Sequence, residues 1–413
     1  MSLRHTLSRR LALFRQPEFR RLWLVGTLAE GMRWVEMLTM SVYIYEVTRS
    51  ALAVAFFNFL RLIPLLLMGA FTGSLAERLD RKRLYVGGLA ITTMATGFVG
   101  VLALFDRIEL WHIALATLIG GIAFTTEFPV RRNLLADVAG EQNVGAAIGI
   151  DSITRQCMRM AGPAAGGILL QETGLAGTYL TETVVYALCL VLVIRMRERR
   201  SPATAVPPTT RPSLIADTIA GIRTVRAHRA LAGILLVSLV AQILLFPYGR
   251  LIPVIGKDVL ELTPALVGVL ASAEGMGALV GASLCTAFIE PRHYRQAYFI
   301  GSAGFGIGII AFSLAPTFGL AIAALFVAGL GIGFFSNMQV TLPQFRSPPG
   351  MRGRMMGLLS VVIGIGPFGV LYAGGLAEWL GTQNAITLIG VQALIALGAL
   401  ALYWNGRSDR AVP

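Results

Sequence analysis

Thiols, imidazoles and charges are all scarce in this chain. Three cysteines (Cys157, Cys189, Cys285) and four histidines (His5, His112, His228, His293) are scattered over 413 residues without paired or metal-ligand spacing. No disulfide framework or metal site is therefore expected, and no cofactor. A Gly-x-x-x-x-Gly-Lys-(Ser/Thr) phosphate loop is lacking, which excludes ATP as the energy source by that route. No other enzyme signature takes its place. Only 14% of residues are charged, where a soluble domain of this size carries about 25%.

What is present is apolar: 55% of the residues are hydrophobic and the mean hydropathy is +0.70. About 20 apolar residues cross a bilayer, and twelve such runs can be drawn, at 21–46, 51–74, 84–105, 111–131, 145–171, 177–196, 230–255, 264–289, 297–315, 317–340, 353–378 and 384–404. The expected fold class is an all-α membrane protein. The first run contains charges and has no small-residue cleavage site after it, so it reads as a membrane helix rather than a signal peptide. The chain divides into a six-helix half at 1–196, a linker at 197–229 and a second six-helix half at 230–413. In the linker, a basic stretch and a Pro/Thr-rich segment lead into 213–229, which has the spacing of an amphipathic helix on the membrane surface.

The formal net charge of +13 would suggest nucleic acid in a soluble protein. Here most Lys and Arg residues fall in the termini and alternate connections, and only Arg49, Arg107 and Lys257 lie in the opposite ones. The charge is then a topology signal that puts both termini in the cytoplasm of a bacterial-type inner membrane, with the bilayer and not nucleic acid as partner. The halves also echo each other. Gly69-Ala70-x-x-Gly73-Ser74 recurs as Gly277-Ala278-x-x-Gly281-Ala282, Gly162-Pro163 as Gly366-Pro367, and Gly166-Gly167 as Gly374-Gly375, all at nearly one offset. Two parallel repeats follow.

The connection after the second run reads Gly73-Ser-Leu-Ala-Glu77-Arg78-Leu-Asp80-Arg81-Lys-Arg. It resembles the loop between helices two and three of the major facilitator superfamily, with Glu77 at the usual Asp and Asp80 at the usual Gly. The second departure resembles the enterobactin-exporter type of efflux protein. Leu62-Ile63-Pro64, Pro129-x-Arg131, Arg159-x-x-Gly162-Pro163 and Arg352-Gly353-Arg354 extend the resemblance over the whole chain. It implies a cytoplasmic gate formed by Gly73, Glu77, Arg78, Asp80 and Arg81 with Arg352, Gly353 and Arg354, flanked by Glu127 and Arg131. The carboxylate would dock on a helix N-terminus. Glu127 is read as a local interfacial partner of Arg131. Arg159, Gly162, Pro163, Gly166 and Gly167 resemble the fifth-helix motif of drug:proton antiporters, which implies export. Physically, this stretch predicts a bend with close helix packing.

Charges within the spans are costly and point to a pathway or a partner. Glu30, Arg33 and Glu36 share one arc of the first helix, with the Arg about 60° from each acid, so one cation faces two carboxylates: either one acid takes up a proton or the second pairs with another helix. Glu30, Glu36 and Glu274 are the proton-coupling candidates. Arg33, Arg61, Asp151, Arg155 and Arg250 are candidate charge partners or substrate contacts. Asp151, Arg155 and Arg159 form a ladder at i, i+4 and i+8, and Arg61 is expected to hold a carboxylate. Glu274 has Arg33, Arg61 or Arg250 as possible partners. The expected function is secondary active transport, with protons and a small amphiphilic molecule, siderophore or drug-like, exchanged by a monomer between its two halves. Lysophospholipid flipping, proton-coupled uptake and a transport-inactive sensor or scaffold are the alternatives.

Overall fold

The computed structural model describes residues 13–78, 80–196, 229–347 and 352–405, without the side chains of 69–78, 128, 141, 352–354 and 405. The expected amphipathic helix at 213–229 and nearly all of the linker lie outside the described residues. Those that are described form helices and connections, with no strand among them. The chain runs through α1 (Pro17–Thr48), α2 (Ala51–Arg78), α3 (Arg81–Leu104), α4 (Leu110–Ala139) and α5 (Val144–Ile194). It continues through α6 (Arg229–Val240), α7 (Ile252–Asp258), α8 (Pro264–Phe288), α9 (Tyr294–Ser313), α10 (Phe318–Arg346), α11 (Arg352–Gly364), α12 (Gly366–Leu380) and α13 (Thr382–Asn405).

Ten helices among the described residues are long and apolar enough to cross a membrane. The twelve runs expected from sequence require, beyond these, that α1 crosses despite its charges and that α5 counts twice. α5 has 51 residues, about 76 Å at ~1.5 Å per residue, where ~30 Å of hydrocarbon has to be crossed. Its one non-helical residue is Gly174, with φ 67° and ψ −173°. That conformation is open essentially to glycine alone, and it separates two legs.

Local chemistry sets the ends. Asp80 caps α3 by accepting from the Arg83 N–H at 3.0 Å, and Ser50 caps α2 through the Ala53 N–H at 3.0 Å. α4 runs on to Ala139, past the expected end at 131. Its extra turns carry charges that find partners: Asp137 takes Arg81 at 2.6 Å, and Arg131 takes Asp151. Pro247 and Pro253 each withhold a backbone donor. Between α6 and α7 the chain accordingly passes through a π turn (Ala241–Leu245) and a 3-10 turn (Phe246–Arg250).

The contacts divide into two compact units. The first comprises the described parts of Met1–Thr48, Phe57–Thr204 and Leu262–Ser272. Its core joins Phe19, Leu22 and Val25 of α1, Tyr85 and Leu89 of α3, Val130 and Leu135 of α4, and Tyr186, Cys189 and Val193 of α5. The second comprises the described parts of Arg49–Phe56, Ala205–Glu261 and Ala273–Pro413. There α8 and α10 meet through glycines, since a Cβ on Gly277 would lie 3.0 Å from the Gly329 Cα, and one on Gly281 would lie 2.8 Å from the Leu330 Cα. Small residues of this kind let membrane helices approach closely. Large apolar side chains such as Met94, Val184, Ile300 and Ile395 face outward, as lipid-facing residues must.

Candidate functional site

The first unit holds a buried set of ionisable side chains, contributed by α1, α2, α4 and α5. Arg33 bonds Glu30 at 2.9 Å, one turn away on α1. It also lies 3.9 Å from Glu127 of α4, with its guanidinium 4.0 Å from the centre of the Phe124 ring. Arg131, four residues beyond Glu127, turns instead to α5. Its two terminal nitrogens donate to the two oxygens of Asp151 at 2.7 and 3.1 Å, a bidentate pair that fixes both position and plane. Arg155 approaches the same carboxylate from one turn along α5, at 3.5 Å.

Glycines make room for these groups. A Cβ on Gly26 would collide with the Arg131 guanidinium, and one on Gly88 would lie 2.9 Å from the Glu127 side chain. Together Glu30, Arg33, Glu127 and Arg131 line a small cavity with Gly26, Ala29, Tyr85 and Phe124. It has room for about one water molecule. It is suited to water and protons.

A second cluster lies deeper along α1. Arg61 of α2 stands 2.8 Å from Glu36, and the backbone of α4 presses against α2 at this point, where a Cβ on Gly121 would meet the Arg61 carbonyl. Glu182, on the second leg of α5, completes the cluster: its exposure is 0%, neither carboxylate oxygen has a hydrogen-bond partner, and the charges acting on it are those of Glu36 and Arg61.

The helix-α1 triad resolves into one pair within the helix and one between helices. Arg33 keeps Glu30, while Glu36 pairs with another helix, because position on one helix says nothing of the neighbours it meets. The expected local pair Glu127–Arg131 is replaced by two inter-helix pairs, and both residues are buried rather than interfacial. Arg61 does hold a carboxylate, and the Asp151–Arg155 step of the ladder is made. Arg159 instead lies 5.8 Å from the Trp34 ring centre. Glu182 was readable as an acid inside an apolar run, but its isolation is visible only in three dimensions.

The α5 motif packs as its composition predicts. A Cβ on Gly162 would lie 2.5 Å from the Trp34 Cβ, and one on Gly166 would lie 2.9 Å from the Val35 Cα. A Cβ on Gly167 would strike the Pro264 carbonyl, and the Ala164 N–H donates to Ser272 Oγ at 3.1 Å.

In the second unit, Glu274 is buried and accepts a 2.7 Å hydrogen bond from the Tyr248 hydroxyl. Tyr248 is held edge-on by Phe305 and Phe312. Arg250 closes the 3-10 turn that carries Tyr248. Among the expected gate residues, Asp80 is a helix cap and Arg81 bonds Asp137. The side chains of Gly73, Glu77, Arg78, Arg352, Gly353 and Arg354 lie outside the described residues. No group of His, Cys, Asp and Glu that could hold a metal ion occurs among the described residues.

Comparison with known proteins gives a consistent result. A family described as transmembrane secretion effectors matches residues 8–407. The staphyloferrin A transporter of Staphylococcus aureus is 21% identical, aligned over 87% of this chain and 90% of its own. Macrolide efflux protein A of Streptococcus pyogenes is 22% identical over 84% and 86%, and the enterobactin exporter EntS of Salmonella typhimurium is 26% identical over 82% and 80%. Among solved structures, the nucleoside transporter NupG superposes with a TM-score of 0.74 at 15% identity, covering 94% of this chain and all of its own. A bacterial homologue of the iron transporter ferroportin gives 0.69 at 17% identity, covering 94% and 99%. These superpositions show the shared fold.

Proposed function

The chain belongs to the transmembrane secretion effector family of major facilitator transporters, and on that premise we propose that it is a proton-coupled exporter of a small amphiphilic molecule of the siderophore or macrolide class. The observation that carries the coupling is the imbalance of charge around Arg61, whose guanidinium stands 2.8 Å from Glu36 while the fully buried Glu182 is left without a hydrogen-bond partner. An uncompensated charge away from water is expensive, so a proton arriving at such a cluster changes which carboxylate the Arg must neutralise. Glu30 and Glu127 share Arg33, and Glu274 is the corresponding acid of the second unit. Binding free energy of substrate and proton would bias the carrier between its two access states.

The efflux names of the relatives support the direction. The apolar surface of the helices and the lysine and arginine asymmetry support an inner-membrane location with both termini in the cytoplasm, and we take the working form to be a monomer. Everted membrane vesicles test the proposal. Energised vesicles should accumulate a siderophore or a macrolide only when they contain this protein, and a protonophore should abolish the accumulation. Accumulation that survives collapse of the proton gradient would overturn the coupling, and its absence for every compound of both classes would overturn the substrate class.

A further inference from the structure

We infer that Glu182 is a proton-binding site, an acid that carries its proton while Arg61 is engaged by Glu36 and gives it up when Arg61 turns to it. Three observations place it there. Glu182 is completely buried, with both oxygens unpartnered, while every other acid of this unit's buried network has a guanidinium within 4 Å. Its electrostatic neighbours are one cation and one acid. Finally, the Arg61 Nη1 is already engaged 2.8 Å from Glu36, so in this arrangement Glu182 has no guanidinium of its own. A carboxylate left in this position would have neither water nor a donor to stabilise it. A carboxylic acid is uncharged and fits.

The surroundings leave few alternatives for the proton. α1 contributes Glu36 and, through their effects on the neighbouring tyrosines, Arg33 and Tyr43; α2 contributes Arg61 and α4 Glu127. α5 itself contributes Tyr179 and Tyr186, one turn to either side of Glu182. The exchange balances: when Arg61 leaves Glu36 for Glu182, Glu36 takes up one proton and Glu182 releases one, so the cluster stays at the same net charge. The proton passes between two acids on different helices, α1 and α5, and their relative movement would set which one holds it.

This inference places the proton and rests on the proposed coupling only for its role, so it can be tested apart from transport. Infrared spectra of the purified protein in lipid nanodiscs, recorded in H₂O and D₂O across the neutral pH range, should contain a protonated-carboxyl C=O band. Glu182→Gln should remove that band, and Glu182→Asp should restore it at a shifted position, which distinguishes loss of the acid from loss of the fold. A wild-type spectrum without such a band overturns the inference, as does a band that survives Glu182→Gln and disappears in Glu36→Gln. A substrate-driven proton signal measured in parallel separates the two proposals. If the band maps to Glu182 but wild type moves no protons with substrate, the site stands and the coupling falls. If wild type moves protons and the band is indifferent to Glu182, the coupling stands and the site falls.

Discussion

Arg61 and Glu36 meet at 2.8 Å across α2 and α1, both nearly buried, which makes this pair the hinge of the electrostatics of the first unit. Removing one member leaves the other as a buried charge, which costs ~3–5 kcal/mol, whereas replacing both with apolar residues of similar size is close to neutral. Arg61→Met should therefore lower the thermal unfolding temperature in detergent markedly. The double variant Arg61→Met/Glu36→Met should recover most of the loss. Additive losses from Arg61→Met and Glu36→Met would show that the two side chains are not coupled.

The bidentate bond of Arg131 to Asp151 predicts that lysine is a poor substitute, since an ammonium cannot donate in the same fork. Arg131→Lys should destabilise by ~1.5–3 kcal/mol, the range for a hydrogen bond to a charged group. Gly26→Ala should act at the same place, because its methyl group would occupy the space of the guanidinium. Thermal unfolding of these two variants and their combination checks the shared site: the combined loss should be smaller than the sum.

The ten helices among the described residues long and apolar enough to cross a membrane were legible from the run lengths of apolar residues, and the runs 145–171 and 177–196 flank Gly174, where α5 divides into two legs. Helix ends were less legible. Arg131 looks like a terminus in a hydropathy count, yet α4 carries on for two turns because Arg131 and Asp137 are neutralised by Asp151 and Arg81. The same limit governs the site. Angular spacing along α1 joined Glu30 to Arg33 correctly, but assigning Glu36 to Arg61, Glu127 to Arg33, and no hydrogen-bond partner to Glu182 depends on which helices lie side by side. A helical wheel contains no such information.

Close packing on the α5 motif gives a paired prediction. Gly167 has a backbone carbonyl where its Cβ would be, while Gly145 on the same helix has nothing within 4 Å. Gly167→Ala should cost about 1–3 kcal/mol through overpacking and reduce transport while the protein still inserts. Gly145→Ala should be neutral or slightly stabilising, by less than about 1 kcal/mol. Equal behaviour of the two in a transport and thermal-unfolding comparison would contradict the packing account.

In the second unit, Tyr248→Phe removes the 2.7 Å hydrogen bond to Glu274 and keeps the ring between Phe305 and Phe312. The expected loss is ~1.5–3 kcal/mol. If Glu274 takes part in coupling, the pH dependence of transport should shift in Tyr248→Phe and disappear in Glu274→Gln. An unchanged profile in both would make the bond purely structural.

The most direct test of proton-coupled export is proton movement itself, in proteoliposomes that hold the purified protein and an internal pH dye. They would be challenged in turn with a siderophore, a macrolide and a lysophospholipid, with Glu30→Gln, Glu36→Gln and Glu274→Gln beside wild type. The account predicts that a siderophore or macrolide triggers a proton signal in wild type, that the lysophospholipid does not, and that at least one of the glutamine variants abolishes the signal. Substrate transport by wild type without any proton movement would contradict it.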